Sequence, residues 1–250
     1  MIQGHRQENS EASMNMHSTP VKGGSTAILK NVSAMMTLIE TVRQRPEQSA
    51  GFGLFYGRSG YGKTVASTYA QNEENCLYIE VREFWTRRDF CVAFLEELGQ
   101  RPRGTISAMM REIIALIGMD YGRAIIIDEA DKLVDKRMIE LARDLQEMTR
   151  APVILVGEEQ LKNKLAVYER CDGRVLERVE ALPCDAEDAG ELAGMIAAGI
   201  DVDYELLDYI VAEAKGSTRR VANALYKVSN LARSRNLNRV TVADYAQGGA

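Results

Sequence analysis

Histidine is nearly missing from this chain. Its two copies, His5 and His17, stand among the first 17 of 250 residues. The rest of the sequence therefore has no imidazole for a metal site, a Ser-His-Asp triad or a general base. Cysteine is scarce as well: Cys76, Cys91, Cys171 and Cys184 are scattered, with no C-x-x-C pair. That spacing fits neither a zinc site nor a disulfide framework, and predicts four reduced thiols packed as small apolar groups. No run approaches the roughly 20 apolar residues of a bilayer span. The first residues also lack the basic-then-apolar order of a secretory signal, so the cytoplasm is the expected location, with no membrane partner. A net charge of −5 excludes a constitutively basic nucleic-acid binder, although a local basic face can still meet phosphates. Any chemistry here must run on carboxylates, lysine, arginine and a bound metal.

What is present is ordinary for a soluble globular protein, with 46% hydrophobic and 27% charged residues. The length suits one sizeable core with a small appended subdomain. Residues 1–26 are rich in Ser, Asn, Gln, Glu and Gly, and read as a flexible tail. Residues 28–42 repeat apolar positions at helical spacing. Short apolar runs at 53–56, 77–81, 124–127 and 153–156 predict buried parallel strands, with a weaker strand at 178–182. Helical patterns at 88–98, 107–117 and 136–150 lie between them. This alternation predicts an α/β fold over 27–183, a parallel sheet covered by helices on both faces. Beyond Pro183 the segments 187–198, 204–215, 219–233 and 241–246 all read as helix, with Asp185 and Asp203 as N-caps and Gly199 and Gly216 as stops. Residues 184–250 are thus expected to form a small all-helical lid subdomain.

The most specific feature is Gly57-Arg58-Ser59-Gly60-Tyr61-Gly62-Lys63-Thr64. It meets the spacing G-x-x-x-x-G-K-T in full, after an apolar strand and before a helix over 65–70, which is the context a phosphate-binding loop requires. Glycines let backbone N–H groups curl around phosphates, and the helix N-terminus adds positive charge. Lys63 is expected on the β/γ-phosphates of ATP and the Thr64 hydroxyl on Mg²⁺. The second element is the run Ala124-Ile125-Ile126-Ile127-Asp128-Glu129-Ala130-Asp131, a buried strand ending in two carboxylates. Asp128 is expected to hold Mg²⁺ through its water shell, and Glu129 to orient and deprotonate the attacking water. Arginines that could supply transition-state charge are Arg170, Arg174 and Arg178, before the weak strand, and Arg219 and Arg220, after Gly216-Ser217-Thr218.

Together these segments resemble the AAA+ ATPases and, within them, the transposition protein B family of Mu-like phages, over about residues 20–245. The resemblance is carried by Gly57 to Thr64, by Ile127-Asp128-Glu129-Ala130-Asp131, by Leu141-Ala142-Arg143-Asp144-Leu145, by Ala151-Pro152-Val153-Ile154-Leu155-Val156-Gly157-Glu158 and by residues 216–220. It implies that Arg174 is the arginine finger acting on a neighbour's nucleotide and that Arg219 is the sensor-2 arginine. Glu158 stands where the family places a neutral, water-orienting residue. The resemblance further implies ATP-dependent polymerisation on duplex DNA as a homo-oligomer or helical filament, with target delivery to a transposase. The larger B proteins carry an N-terminal helix-turn-helix domain, for which residues 1–26 are too short, so DNA contact is expected from the ATPase body. Basic candidates are Arg82, Arg87, Arg88, Arg101 and Arg103, with Lys132, Lys136 and Arg137 as a second set. Phe84 and Trp85 are expected in the core rather than stacked on bases. Two other readings share the phosphate loop: a protein-remodelling or signalling AAA+ switch that acts without DNA, and a P-loop kinase of a small metabolite.

Overall fold

The computed structural model describes residues 29–248. The tail expected at 1–26 and the first residue of the helix expected at 28–42 lie outside the described residues. Helix α1 (Lys30–Arg43) leads into β1 (Phe52–Tyr56), α2 (Lys63–Glu74), β2 (Leu77–Glu80), α3 (Arg87–Glu97) and α4 (Ile106–Gly118). Then follow β3 (Ile125–Asp128), α5 (Asp131–Asp135), α6 (Ile139–Thr149), β4 (Val153–Gly157), α7 (Leu161–Ala166), α8 (Glu169–Asp172) and β5 (Val175–Glu180).

The five strands form one parallel sheet in the order β2-β3-β4-β1-β5. Every residue of β1, β3 and β4 is buried, which is why these strands read as unbroken apolar runs. Side chains alternate between the two faces. Phe52, Leu54, Ile125, Ile127, Val153 and Leu155 pack beneath α3, α4 and α6, where Phe90, Phe94, Met109 and Ile113 are fully enclosed. Phe55, Ile126, Ile154 and Val156 pack against α1 and α2 through Met35, Leu38, Ile39 and Ala66. All four cysteines are buried free thiols, and burial pushes Cys76 and Cys171 up to about 11 and Cys184 up to about 12.

Two elements differ from the sequence expectation. The weak strand runs from Val175 to Glu180 rather than over 178–182. It is an edge strand in which exposed Glu177, Arg178 and Glu180 interrupt half-buried Val175, Leu176 and Val179, so it presents no long apolar run, and its register shifts beside Phe52. The helix expected over 136–150 begins only at Ile139, after the separate short helix α5 and a break. The chain breaks at Arg137, whose φ is +55°, and Met138 turns inward with its N–H on the Leu133 carbonyl. Only Ile139–Thr149 continues as helix.

The C-terminal portion comprises α9 (Ala186–Ile196), β6 (Asp201–Val202), α10 (Tyr204–Ala214), α11 (Thr218–Arg235), β7 (Arg239–Val240) and α12 (Val242–Gly248). It has its own core of Leu206, Leu207, Ile210, Val221, Leu225 and Val228. The helices are those expected, joined by one short parallel pair, β6 with β7. Asp185 caps α9 by accepting from the Glu187 and Asp188 N–H groups. Asp203 occupies the N-cap of α10 without a capping bond and pairs instead with Arg239. Among the described residues, no helix is long and apolar enough to cross a membrane.

Candidate nucleotide site

β1 delivers the chain into the glycine-rich loop, and α2 begins at Lys63. Gly60 and Gly62 have φ of +88° and +83°, a region that side chains rarely adopt. A Cβ at Gly60 would also stand 2.5 Å from Ser217 Oγ. Lys63 Nζ donates to the Gly57 and Arg58 carbonyls at 2.6 and 2.9 Å, so the ammonium is folded back over the loop. Burial lowers its pKa, against the raising effect of Asp128, Glu158, Glu129 and Asp131. Arg58 points outward, 3.7 Å from Glu159.

At the end of β3 the Asp128 carboxylate is 2% exposed. Its Oδ2 accepts from Thr64 Oγ1 and from the Tyr78 hydroxyl, each at 3.0 Å, and its Oδ1 accepts the Glu129 N–H at 2.8 Å. Burial raises its pKa, and the three hydrogen bonds pull the other way. Among the described residues Asp128 has no ion pair. A buried carboxylate facing two hydroxyls and no cation fits a hard divalent ion that keeps most of its water. Thr64 and Asp128 could hold such an ion beside a triphosphate, where it would neutralise developing phosphate charge.

Glu129 lines, with Lys63, Thr64 and Asp128, a cavity at this end of the sheet, in a left-handed conformation with φ of +58°. Such an angle is unusual for a residue with a side chain, and it concentrates at functional sites. Its carboxylate stands 3.1 Å from Lys132 Nζ. Glu158, following β4, also lines the cavity, and its N–H donates to Asp131 Oδ2 at 2.6 Å. Asp131 is itself buried, with its pKa raised by that burial. Its carboxylate lies over Gly157, where a Cβ would collide with it. From the C-terminal side Arg219 lines the cavity, and its N–H donates to the Gly60 carbonyl at 3.2 Å. The cavity encloses about 320 Å³, and Leu29, Val65, Leu192 and Ala222 give it an apolar wall.

The structure thus gathers Ser59, Gly60, Gly62, Lys63, Thr64, Asp128, Glu129, Glu158 and Arg219 around one cavity. Arg174 lies elsewhere. Its carbonyl accepts from the Phe52 N–H, at the start of β1, whereas the loop follows the other end of that strand. Five residues of strand separate the two by about 16 Å, so Arg174 cannot serve its own nucleotide. Its guanidinium is 2.6 Å from Glu147. Arg178 pairs with Asp172.

The basic candidates adjoin one another at the carboxyl end of β2 and β3. Arg88 donates to the Gly104 carbonyl, tying α3 to the loop that carries Arg101 and Arg103. Lys136 is 3.6 Å from Glu83, and Lys132 Nζ donates to the Val81 carbonyl. Arg82 is paired with Glu80, while Arg87, Arg101, Arg103 and Arg137 are exposed. Phe84 departs from its expected burial: it is 79% exposed, because Trp85 alone turns in against the core.

Four contributors escaped the sequence reading. Tyr78 and Asp131 looked like ordinary strand and helix residues, and Lys132 was read as a DNA-contact candidate rather than a partner of Glu129. Asn31 lies far away in sequence. Its side chain donates to the Tyr61 and Leu182 carbonyls and accepts the Leu182 N–H, joining α1, the phosphate loop and the chain leaving β5. Their only sequence signal was polarity at positions of strand or helix that become buried or half-buried.

A parallel sheet with this loop and these paired carboxylates at its carboxyl end defines a P-loop nucleotide hydrolase with appended helices. Residues 44–165 match the AAA domain family. No curated protein matches the sequence. The fold resembles that of the ORC2 protein of Aeropyrum pernix in its ADP form, at 11% identity and a TM-score of 0.65, over 94% of this chain and 70% of that one. The Aeropyrum pernix ORC1 protein in complex with DNA matches at 17% identity and a TM-score of 0.57, over 87% of this chain and 63% of that one. The Thermotoga maritima RuvB Holliday junction branch migration motor matches at 17% identity and a TM-score of 0.58, over 87% and 67%. With the loop, the acidic strand end and the domain match over residues 44–165 together, the protein is an ATPase with the P-loop AAA+ α/β fold.

Proposed function

We propose that this ATPase uses Mg²⁺-ATP to assemble on duplex DNA and to present that DNA to a transposase. One observation carries the DNA reading. The basic surface of exposed Arg82, Arg87, Arg88, Arg101, Arg103 and Arg137 with half-buried Lys136 adjoins the nucleotide cavity, and Lys132 touches both, meeting Glu129 on one side and Val81 on the other. Such a surface would hold duplex through its phosphates with little sequence readout. Similar folds in complex with DNA, the ORC1 protein of Aeropyrum pernix and ORC of Drosophila, support this reading. The transposition step rests on the wording of residues 141–158, which resembles the B proteins.

Lys63 would bind the β/γ-phosphates, Thr64 and Asp128 the metal, and Glu129 the attacking water. Arg219 would contact the γ-phosphate, while Arg174 would reach across to a neighbour's nucleotide. Residues 27–183 would act as the nucleotide-binding unit and 184–250 as its lid. The test is duplex binding with ATP, with ADP and without nucleotide, at several salt concentrations. Binding strongest with ATP and weakening steeply with salt is expected. Binding that is absent, or equal in all three states, would remove the DNA reading and favour an AAA+ switch acting on a protein.

A further inference from the structure

Helix α11 has an unusual charge. Its 18 residues include Arg219, Arg220, Lys227, Arg233 and Arg235 and no acidic residue, in a chain whose net charge is −5. One face, with Val221, Leu225, Val228 and Ala232, is buried against the C-terminal core. The other exposes Arg220, Asn223, Lys227, Asn230 and Arg233. At 3.6 residues per turn these positions cover a solvent face about 140° wide, opposite the buried one, and Asn223 also borders the nucleotide cavity. Among the described residues, Arg220, Lys227 and Arg233 form no ion pair, whereas Arg43, Arg143, Arg178 and Arg239 each sit against carboxylates.

We propose that this stripe is a second contact for the phosphate backbone of duplex DNA, separate from the surface beside β2. From residue 220 to residue 233 it is about 20 Å long, which matches about six base steps of duplex. Cations alternating with amides suit phosphate oxygens, which accept hydrogen bonds from both. A protein-docking face would carry a central apolar anchor; here only Tyr226 flanks the row. The proposal relies on the preceding section only for the identity of the nucleic acid. Its consequence is local. Arg219 opens the same helix and lines the nucleotide cavity, so DNA held along α11 and nucleotide held at its first turn bear on one rigid rod.

The test uses the full chain with Arg220, Lys227 and Arg233 changed together to alanine, beside a second variant with Arg87, Arg101 and Arg103 changed to alanine. Duplex affinity is measured with ATP across a salt series, and nucleotide affinity separately. The α11 variant should keep its nucleotide affinity, while the slope of log affinity against log salt falls by about 2 to 3, near 0.9 for each lost phosphate contact. An R220K/R233K variant should retain the wild-type slope. An unchanged slope in the α11 variant, with a reduced slope in the other, would overturn this stripe and leave the proposed function standing. Loss of self-association without DNA, at an unchanged slope, would assign the stripe to a neighbouring subunit and also overturn it. Wild-type protein that binds no duplex would remove both proposals.

Discussion

Lys132 Nζ lies 3.1 Å from Glu129 Oε2 and 3.3 Å from the Val81 carbonyl. One ammonium thus links the carboxylate best placed to activate water with the root of the loop that bears Arg82 and Phe84 and leads to Arg87 at the start of α3. While that contact holds, part of the Glu129 carboxylate's charge is engaged by Lys132 rather than by an attacking water. Both side chains are partly solvated, so the pair contributes only about 0.2–1 kcal/mol. Changing Lys132 to methionine should therefore raise unstimulated hydrolysis by about 1.4- to 5-fold and shrink any stimulation by DNA. Steady-state turnover with and without duplex measures both. The control is Glu129→Gln, which should bind nucleotide normally while turnover falls by about 10²–10⁴. Undiminished turnover there would mean that another group positions the water.

Asp128 gives a prediction in pH. Burial raises its pKa in the folded protein, so the folded state holds this proton more tightly than the unfolded chain does. That contribution is fully present below the unfolded value near 3.9 and is lost as pH rises through the raised folded value. At neutral pH, with neither metal nor nucleotide, the ionised carboxylate is therefore a net cost. Asp128→Asn should melt higher than the wild type at pH 7, each 1 kcal/mol of relief adding about 2–4 °C at this size. The gap should close toward pH 4. Mg²⁺-ATP should stabilise the wild type and leave the variant nearly unmoved. A variant that melts lower at pH 7 would show that the Thr64, Tyr78 and Glu129 hydrogen bonds outweigh the burial of charge.

Asn31 ties three elements together with one amide. Its bonds to Tyr61 and Leu182, at 2.7, 2.8 and 2.9 Å, are made from a buried amide to part-buried backbone groups. Truncation to alanine strands those groups, at about 1–3 kcal/mol, a fall of about 2–12 °C in Tm. Since Tyr61 belongs to the phosphate loop, nucleotide affinity should fall as well. A calorimetric melt paired with a nucleotide titration tests this, and normal values in both would show that the loop holds its shape without α1.

What could be read from sequence followed from distance along the chain. Gly57 to Thr64 is one stretch, with spacing imposed by phosphate geometry, and Asp128 with Glu129 ends an apolar run that only a buried strand explains. The helices were legible through their period, except where Arg137 takes a left-handed turn that no periodicity reports. β5 was misplaced because an edge strand needs only half its residues apolar. Asn31, Tyr78, Asp131 and Lys132 matter through partners 30, 50, 27 and 51 residues away. Such pairings are set by how the helices pack on the sheet, and composition does not encode them locally. Phe84 was expected inside because it is aromatic, but its neighbour Trp85 fills the available space.

Arg174 provides the sharpest separation between a site complete in one chain and a site completed by assembly. Its place at the start of β5, a strand's length from its own loop, bars it from the cis nucleotide, and its contact with Glu147 is a half-exposed pair that adds little to stability. Arg174→Ala should leave Tm and nucleotide affinity close to wild type. If a neighbour's triphosphate is its target, the rate in assembled protein should fall by about 10³–10⁵, as for loss of an arginine finger, while dilute, dissociated subunits should hydrolyse at the wild-type rate. Turnover measured across protein concentration distinguishes the cases. Wild-type activity that rises with concentration and a variant that stays flat would place the guanidinium in trans. An equal loss at every concentration would mean that Arg174 acts inside its own subunit, through Glu147 and α6, and that the subunit contact carries no catalytic group from β5.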